Sequence, residues 1–432
     1  MLYVRNFVVC ILICCAFGAL AQPYTSFRSG NNQSIIAYPL GGVCLMGGAT
    51  ENDNAMRWFL ERASGGDVLV LRTSGSDGYN AYFYTDLGVT LNSVETIVCN
   101  NASASQETYI HQRIQEAEAI WFAGGDQWEY ISFWRNTPVD SLIRLAVQTR
   151  NIVIGGTSAG MAIQGQAYFT AQNGTITSYQ ALLDPFASNL TVDTLTFLGN
   201  EPLNGIITDT HFDNPDRRGR TTAFLGRLLT DLNHNYKGIA CDEYVAVCIA
   251  NDTARVFGDF PNYEDNAYFI SPNCALSNNV PETCSMSVPL TWDRGGEALS
   301  VCRIRGTQTG LNLFVMNNWK PVNAADWFCW SVNNGVFQET TAVEPLCLLN
   351  AETVTSLDKE ITITNDNGVL SVNVDSPHFP IEVRIFDLGG KLIREQTLNA
   401  NGDSIRLSEF AHGTYCIQLE SSSFIYHQKL VF

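Results

Sequence analysis

The stretch that decides the fold is IVIGGTSAG, residues 152–160. An apolar strand runs from Ile152 to Ile154 into a Gly-x-Ser-x-Gly turn, and the apolar segment 161–163 follows. Glycines on both sides of Ser158 let backbones pass closely at a strained turn, which lifts the hydroxyl above the sheet. The start of the next helix favours the negative charge that forms on an attacked carbonyl. The stretch therefore predicts Ser158 as a nucleophile, although any strand-to-helix turn of small residues can carry a serine.

Short apolar runs of the same kind lie upstream, and each ends near glycine, serine or aspartate. Helical spacing at 53–63 separates the first two of these runs. Continuous apolar strands that alternate with helices are typical of a parallel sheet covered on both faces. The pattern predicts an α/β fold with a three-layer parallel sheet, and ligands of such sheets bind at the carboxyl ends of the strands. The runs are Val43–Met46, Val68–Leu71, Val94–Val98 and Ala119–Phe122.

A serine hydroxyl needs a base to become a nucleophile, and histidine is its usual base. The chain has six histidines, three of them in or near the C-terminal region of alternating sequence. Elimination favours His211, because the apolar run 205–209 leads to a strand end just before it. This places His211 at the same sheet edge as Ser158. A carboxylate must orient the imidazole; Asp242 and Glu243 both follow the strand-like run 238–241, and the pattern leaves both open.

The loop Gly124-Gly125-Asp126-Gln127 ends the strand that includes Ile120 to Phe122. The Gly125 amide is predicted to form half of an oxyanion hole, and the Ala159 amide the other half. A phosphate-binding loop is the alternative, but the Gly-Lys-Ser/Thr that such a loop requires is missing. The pair Gly47-Gly48 is a weaker signal, because a tight turn explains it.

The composition and the net charge of the chain exclude some classes of function. The chain has 432 residues, which suggests two or three parts, and 45% of them are hydrophobic and 16% charged, as in globular proteins. A net charge of −18 argues against a nucleic-acid partner, because phosphate binding needs a basic surface. A local basic pocket for an anionic or zwitterionic small substrate remains compatible with this charge.

The first 21 residues read as a signal peptide. Arg5 precedes an apolar run from Phe7 to Phe17, and the segment 18–21 has the small–x–small pattern of a cleavage site. A membrane anchor is the alternative, but the run is shorter than the roughly 20 residues that span a bilayer. The prediction is export to the periplasm, with cleavage after Ala21 or one residue later.

The cysteines agree with export. Of thirteen, three lie in the predicted signal peptide, which leaves an even number for the exported protein. An even number in an oxidising compartment is compatible with disulfides, and Cys274 and Cys284 are predicted to staple a short loop. No Cys-x-x-Cys pair occurs, so zinc is disfavoured and no metal site is predicted.

A change of composition near 345–356 precedes a region of period-two alternation. Apolar and polar residues alternate in 368–374, 381–386 and 415–419, and Asp387-Leu-Gly-Gly390 supplies a hairpin turn. This pattern predicts a small C-terminal antiparallel β-sandwich. The predicted boundaries are a catalytic domain at 22–345, a linker at 346–356 and the β domain at 357–432.

Taken together, the motifs of the larger domain resemble the cyanophycinase family of serine peptidases, relatives of the aspartyl dipeptidase peptidase E. The resemblance implies a class I glutamine amidotransferase-like α/β fold, and it assigns Ser158 as nucleophile, His211 as base and Glu243, rather than Asp242, as the orienting acid. It implies no metal or organic cofactor. The matching stretches are 47–49, 65–67, 123–127, 155–160, 209–212, 217–220 and 238–243.

The resemblance also implies a substrate pocket and a substrate class. The family cleaves β-linked aspartyl–arginine units of cyanophycin or acts on aspartyl peptides. Two departures affect this pocket: Thr210 replaces the family's glutamine, and 214–216 lengthens the following loop. The triad therefore carries over better than the substrate does. The residues that match the pocket are Gln127, Asp209, Thr210, Arg218 and Arg220.

Three alternatives to this function stay open. They are a dipeptidase for α- or iso-aspartyl peptides, a catalytically silent surface binding protein of the same fold, and an amidotransferase with a cysteine nucleophile. The last conflicts with the serine at the elbow. A homodimer is also left open.

The tail resembles the type A C-terminal sorting domain of the type IX secretion system. The features that carry this resemblance are 385–391, 413–416 and 428–431. It implies that the secretion machinery is a partner and that the protein is secreted or attached to the outer surface after passing through the periplasm. A carbohydrate-binding β-sandwich is the alternative, but no aromatic platform stands out.

Overall fold

The chain divides into two units, Met1–Pro345 and Leu346–Phe432. The computed structural model describes residues 22–195 and 197–345 of the first unit. In the second unit it describes 361–366, 369–374, 379–387, 391–400, 403–406, 414–420 and 425–431. The predicted signal peptide (1–21) and linker (346–356) lie outside these residues.

Strands of the first unit, in chain order, are β1 (Tyr24–Gly30), β2 (Val43–Met46), β3 (Asp67–Arg72), β4 (Ser93–Cys99), β5 (Ala119–Phe122), β6 (Val153–Thr157), β7 (Tyr168–Phe169), β8 (Val192–Asp193), β9 (Ile206–Asp209), β10 (Lys237–Cys241), β11 (Ala246–Ala250), β12 (Thr253–Phe260), β13 (Asn266–Pro272), β14 (Leu299–Arg305), β15 (Asn312–Val315), β16 (Lys320–Pro321), β17 (Ala325–Asn333) and β18 (Val336–Ala342). Its α-helices are α1 (Asp53–Glu61), α2 (Gly78–Ala81), α3 (Thr108–Glu116), α4 (Gln127–Trp134), α5 (Pro138–Arg150), α6 (Ala159–Ala162), α7 (Ser178–Leu183) and α8 (Arg218–Leu232).

The larger sheet has ten strands, in the order β1-β4-β3-β5-β6-β2-β11-β12-β15-β16. Its five strands from β4 to β2 run parallel. Along β2, Val43 and Leu45 join one apolar cluster, whereas Cys44 and Met46 join another. Because successive side chains point to opposite faces, both faces of this sheet are covered, which is why its strands read as continuous apolar runs. The predicted three-layer α/β class is confirmed.

A second sheet has six strands, in the order β18-β17-β14-β13-β10-β9. Only β9 and β10 pair in parallel, and the other neighbours are antiparallel. The sequence placed His211 at the edge of the sheet that carries Ser158, but His211 follows β9 and therefore belongs to this second sheet. The reason is that β11 pairs antiparallel with the outer edge of β2, which leaves no room there for β9 and β10.

The predicted staple between Cys274 and Cys284 is wrong. Cys284 is a free thiol, and it packs against the apolar cluster that includes Leu228 and Leu229 of α8. Cys274 is disulfide-bonded. The local spacing suggested a loop closure, but packing against α8 holds Cys284 in another environment.

In the second unit, one sheet has the order β19-β20-β23 and the other β22-β21-β24-β25, where the strands are β19 (Ile361–Asp366), β20 (Val369–Val374), β21 (Ile381–Asp387), β22 (Leu392–Leu398), β23 (Ser404–Arg406), β24 (Thr414–Glu420) and β25 (Ile425–Val431). Every pairing is antiparallel. Ile381, Val383 and Ile385 are buried and alternate with more exposed residues, as the period-two pattern predicts. The predicted turn at 388–390 lies outside the described residues.

Among the described residues, none of the helices combines the length and the apolar character that crossing a membrane requires.

Candidate active site

Ser158 lies between β6 and α6 with a strained backbone. Its φ is 52° and its ψ is −115°, a conformation that a non-glycine residue rarely adopts. A Cβ atom added at Gly156 would lie 2.5 Å from the carbonyl carbon of Gly160, and one added at Gly160 would lie 2.1 Å from the carbonyl oxygen of Phe122. Both flanking glycines are therefore required by close backbone approach, as the Gly-x-Ser-x-Gly pattern predicts.

Ser158, His211 and Glu243 form one chain of hydrogen bonds. The hydroxyl Oγ of Ser158 lies 2.8 Å from His211 Nε2, and His211 Nδ1 lies 2.6 Å from Glu243 Oε1. The contact to the carboxylate fixes the proton on Nδ1, so Nε2 accepts from the serine hydroxyl. The side chains of His211 and Glu243 are 23% and 19% exposed, so both are partly shielded from water.

Asp242, the alternative acid, is turned away from the histidine. It is buried, and its Oδ2 accepts a hydrogen bond from the backbone amide of Asn266 at 2.9 Å. Burial raises the pKa of Asp242 to about 7, and the negative charge of Asp213 raises it further. Of the two adjacent acids, the geometry joins only Glu243 to the imidazole.

The turn Gly47-Gly48 after β2 holds both partners of the serine. The carbonyl of Gly47 accepts the amide of His211 at 2.9 Å, and the carbonyl of Gly48 accepts the amide of Tyr244 at 3.2 Å. A Cβ atom at Gly48 would lie 2.4 Å from Cε1 and Nε2 of the imidazole. The turn thus positions His211 and the segment that follows Glu243, a role that the sequence did not predict for this glycine pair.

Asp213 fixes the acid from the other side. Its Oδ1 accepts a hydrogen bond from the backbone amide of Glu243 at 3.0 Å. The loop that carries Asp213 is closed where the amide of Arg217 donates to the carbonyl of Phe212 at 3.0 Å. Glu243 is therefore held by its backbone as well as by the histidine.

The predicted oxyanion donors lie on either side of the serine. Ala159 is the first residue of α6, so its amide has no acceptor within the helix. The Gly124-Gly125 loop runs beside Ser158, since a Cβ atom at Gly124 would lie 3.6 Å from the Cβ of the serine. Gly125 follows directly in this loop, and its role as an oxyanion donor stays a prediction.

Asp209 and Arg220, which the resemblance placed in the substrate pocket, form a buried ion pair. They are 3% and 4% exposed. Arg220 Nε donates to Asp209 Oδ2 at 3.0 Å and Nη2 donates to Oδ1, while Thr221 donates to Oδ2 at 2.6 Å. Although burial opposes ionisation, the Arg220 guanidinium lowers the pKa of Asp209. The pair supports the strand before His211 from below instead of lining an opening, and Thr210 is buried with it.

Arg218 and Gln127 are also committed to protein contacts. Arg218 pairs with Asp216 at 2.9 Å and with Glu339 at 3.1 Å. Gln127 is half-buried at the start of α4, and its Nε2 donates to the carbonyl of Phe169 at 2.8 Å. Arg218 therefore ties the start of α8 to β18, whereas Gln127 fixes the end of the Gly124-Gly125 loop.

Arg217 is the charged residue that the sequence analysis missed. It is half-buried, and its Nη1 donates to the carbonyl of Thr210 at 2.8 Å. Its buried Nε has no hydrogen-bond partner among the described residues. Burial lowers the pKa of Arg217 to about 10, with a further contribution from Arg220. The position immediately before α8 was the only available signal.

No group of three or more His, Cys, Asp or Glu side chains with metal-binding geometry occurs in the part of the chain that the structure describes.

The first unit is an α/β protein in which a strained serine, a histidine and a carboxylate are joined in series beside a parallel sheet, an arrangement typical of serine hydrolases. Comparison with known families agrees. The model described as "Peptidase family S51" matches residues 71–257, and the model described as "Secretion system C-terminal sorting domain" matches residues 364–432. Residues 71–257 therefore match peptidase family S51 and residues 364–432 match a secretion sorting domain, which confirms both resemblances.

Individual relatives are more distant. A cyanophycinase from Synechococcus elongatus is 28% identical over 231 residues, which cover 50% of this chain and 66% of the relative. A cyanophycinase from Geminocystis herdmanii is 27% identical over 144 residues, or 33% and 44% of the two chains. The chain thus spans less than two thirds of the length of these relatives. The crystal structure of a peptidase from an acI-B1 Actinobacterium aligns with a TM-score of 0.40 at 15% identity, covering 54% of this chain and 91% of that one.

Proposed function

We propose that the first unit is a serine peptidase that uses Ser158, His211 and Glu243 to hydrolyse aspartyl-linked amides. One observation carries this proposal: the hydroxyl of a serine in a strained elbow lies 2.8 Å from an imidazole nitrogen, and the other nitrogen lies 2.6 Å from a carboxylate. An alcohol in this setting becomes nucleophilic because the imidazole takes its proton as it attacks.

In the first half of the reaction, Ser158 Oγ attacks the amide carbonyl and its proton passes to His211 Nε2. The amides of Gly125 and Ala159 hold the oxyanion, and Glu243 stabilises the imidazolium that forms. His211 then gives the proton to the leaving amine as the C–N bond breaks. In the second half, water attacks the ester of Ser158 with His211 as base, which releases the acid and restores the serine.

The substrate class follows from the charges around the site. Arg217 offers a half-buried guanidinium, and such a group binds a carboxylate through several donors. The exposed acid Asp213 lies on the loop that precedes it, and its negative charge attracts a cationic group. A substrate that carries both a free carboxylate and a guanidinium satisfies both features. We therefore propose β-linked aspartyl–arginine, the unit that the resemblance to the cyanophycinase family implies.

A covalent probe tests the nucleophile. A serine-reactive phosphonate should modify the peptide that contains Ser158, and Ser158→Ala should abolish both labelling and hydrolysis. Ser300→Ala, a buried serine on β14, is the matched control and should leave both unchanged. Hydrolysis that survives Ser158→Ala at the wild-type rate would contradict the proposal. A protein that neither labels nor hydrolyses any peptide would instead be the silent binding protein.

Paired substrates test the substrate class. The specificity constant should be highest for β-Asp-Arg, lower for β-Asp-Ala and lowest for α-Asp-Arg. Arg217→Gln should raise KM about tenfold or more for each substrate with a free carboxylate, because a charged hydrogen bond contributes about 1.5–3 kcal/mol. A preference for α- or iso-aspartyl dipeptides would favour the dipeptidase alternative.

Export follows from the two ends of the chain. We propose that residues 1–21 direct the protein to the periplasm and that the sorting domain at 364–432 takes it across the outer membrane, so that the protein is secreted or surface-attached. Deletion of 364–432 in a host with a type IX secretion system should leave the protein in the periplasm. If the truncated protein still reaches the medium, the sorting role is wrong.

A further inference from the structure

Two thiols face each other behind the site. Cys44 on β2 and Cys248 on β11 are directly opposite in an antiparallel pair, and their Sγ atoms are 3.5 Å apart. They are 0% and 1% exposed. The mechanism uses neither of them.

We propose that Cys44 and Cys248 form a disulfide in the exported protein and that this bond braces the strands that hold the active site. Residues directly opposite in antiparallel strands have Cα atoms about 4.5–5.5 Å apart, within the range of about 4.4–6.8 Å that a disulfide spans. The backbones already have the required spacing, and side-chain rotation is enough to bring the sulfurs together. The inference uses the export proposed above, which takes the chain through the periplasm, an oxidising compartment in which such bonds persist.

The bond forms by exchange with a disulfide-bearing oxidant of that compartment. The thiolate of one cysteine attacks a sulfur of the donor, which gives a mixed disulfide and releases one donor thiol. The second cysteine then attacks the protein sulfur of the mixed disulfide and releases the other donor thiol. The two protein thiols are oxidised, the donor disulfide is reduced, and the two protons end on the donor thiols.

Burial fixes the order of events. Exchange needs a thiolate and access, but burial raises the pKa of the Cys248 thiol well above its ordinary value. Neither sulfur is accessible once β11 has paired with β2. The exchange therefore takes place during folding, and the closed protein then protects the bond from reduction.

The position of the bond links it to the active site. The next pair along these strands is Leu45 with Val247, and Met46 with Ala246 follows it. Beyond them the amide of Gly47 donates to the carbonyl of Val245 at 2.9 Å. That turn binds the amides of His211 and Tyr244. A bond between Cys44 and Cys248 therefore locks the register that brings the base and the acid together. The inference does not depend on the reaction proposed for Ser158.

Peptide mapping is the decisive experiment. Protein recovered from the exporting host, or refolded with glutathione disulfide, is denatured and alkylated without reductant. Trypsin then releases residues 29–57, with Cys44, and residues 238–255, with Cys241 and Cys248. A second cut after Glu243 separates these two cysteines. We expect Cys44 to be linked to Cys248, with Cys241 alkylated. Alkyl groups on both Cys44 and Cys248, or a link from Cys44 to Cys241, would overturn the proposal.

Thermal unfolding provides an independent readout. The bond closes a loop of 204 residues, so refolding in reductant instead of glutathione disulfide should lower the Tm of the wild type by about 10 °C more than that of Cys44→Ala. Cys302→Ala is the matched control, because it removes a buried thiol on β14 and should respond to reductant like the wild type. The disulfide of Cys274 is common to all three proteins. An equal response of all three would refute the bond.

Discussion

Gly48→Ala is the change that tests most directly how the site is built. The glycine has a φ of 131°, and a Cβ atom added there would lie 2.4 Å from two atoms of the His211 ring. Ordinary van der Waals contact begins near 3.4 Å. The imidazole must therefore retreat by about 1 Å, because the other side of the added methyl is fixed to the strand.

A shift of this size is large compared with the hydrogen bonds that it affects. The contact from Ser158 Oγ to His211 Nε2 is 2.8 Å long, and an added 1 Å takes it beyond the roughly 3.5 Å at which a hydrogen bond is lost. Misplacement of a catalytic group by about 1 Å costs about 10²-fold in rate. We expect kcat to fall by this factor with little change in KM, because the substrate contacts stay in place.

The assay needs a control for backbone strain, since alanine at a positive φ costs about 1–3 kcal/mol by itself. Gly88→Ala supplies it: Gly88 has a φ of 70°, and an added Cβ atom there meets nothing within 4 Å. Both variants should lose some Tm, but only Gly48→Ala should lose kcat and slow the phosphonate labelling of Ser158. A folded Gly48→Ala protein with wild-type kcat, or an equal loss of kcat in Gly88→Ala, would refute the positioning role.

Three further predictions concern the charged groups. Glu243→Gln should lower kcat about 10⁴-fold, because the amide cannot stabilise the imidazolium, whereas Asp242→Asn should keep kcat within about tenfold; steady-state kinetics separate the two. The pKa of Asp242 is raised to about 7 in the folded protein, so the stability of the wild type should fall as pH rises from about 4 to 7 and this carboxyl ionises. The free energy of unfolding of Asp242→Asn relative to the wild type should therefore increase by about 2–3 kcal/mol between pH 5 and pH 8. Denaturant unfolding measures this difference, and a difference that does not change with pH would contradict the prediction. Arg220→Ala should lower stability by about 3–5 kcal/mol, because Asp209 keeps an unpaired buried charge; a raised KM at unchanged stability would assign the pair to substrate binding.

Local features of the sequence predicted the parallel strands and the elbow well. Val43–Met46 and Ala119–Phe122 coincide with β2 and β5, because strands covered on both faces need apolar residues at every position. The Ser158 turn was readable because close backbone contacts allow only glycine at Gly156 and Gly160. In both cases the constraint lies within a few residues of the pattern.

Membership of a sheet was not readable in the same way. The run that ends at Asp209 has the same apolar character as β5, yet it starts a second sheet. What decides this is the pairing of β11 with β2, strands that are about two hundred residues apart in sequence. The apolar pattern of a strand indicates which of its faces are buried, but it does not indicate which edge of a sheet is already paired with another strand.

The arginine cluster shows a similar limit. Arg217, Arg218 and Arg220 lie within four residues, but their environments differ. Arg217 is half-buried with an unpaired Nε, Arg218 forms a surface ion pair and Arg220 forms a buried ion pair. Helix α8 begins at Arg218, so Arg217 lies outside its periodicity. The direction of each side chain depends on where the helix starts, and the sequence places helix ends only to within a few residues.

The two sheets meet at the turn after β2, which explains why small residues there matter as much as the triad. Ser158 comes from the larger sheet, and His211 and Glu243 come from strands of the second sheet. Gly47 and Gly48 bind the backbone on both sides of this junction. Each sheet is stiff within itself, so the distances between residues of the two sheets depend on the contact between the sheets.

Replacing Gly48 and breaking the proposed Cys44–Cys248 bond therefore perturb the same junction. The first change displaces the imidazole, and the second loosens the β2–β11 register. If the junction controls the site, both changes should lower kcat and leave KM nearly constant, with the larger loss for Gly48→Ala.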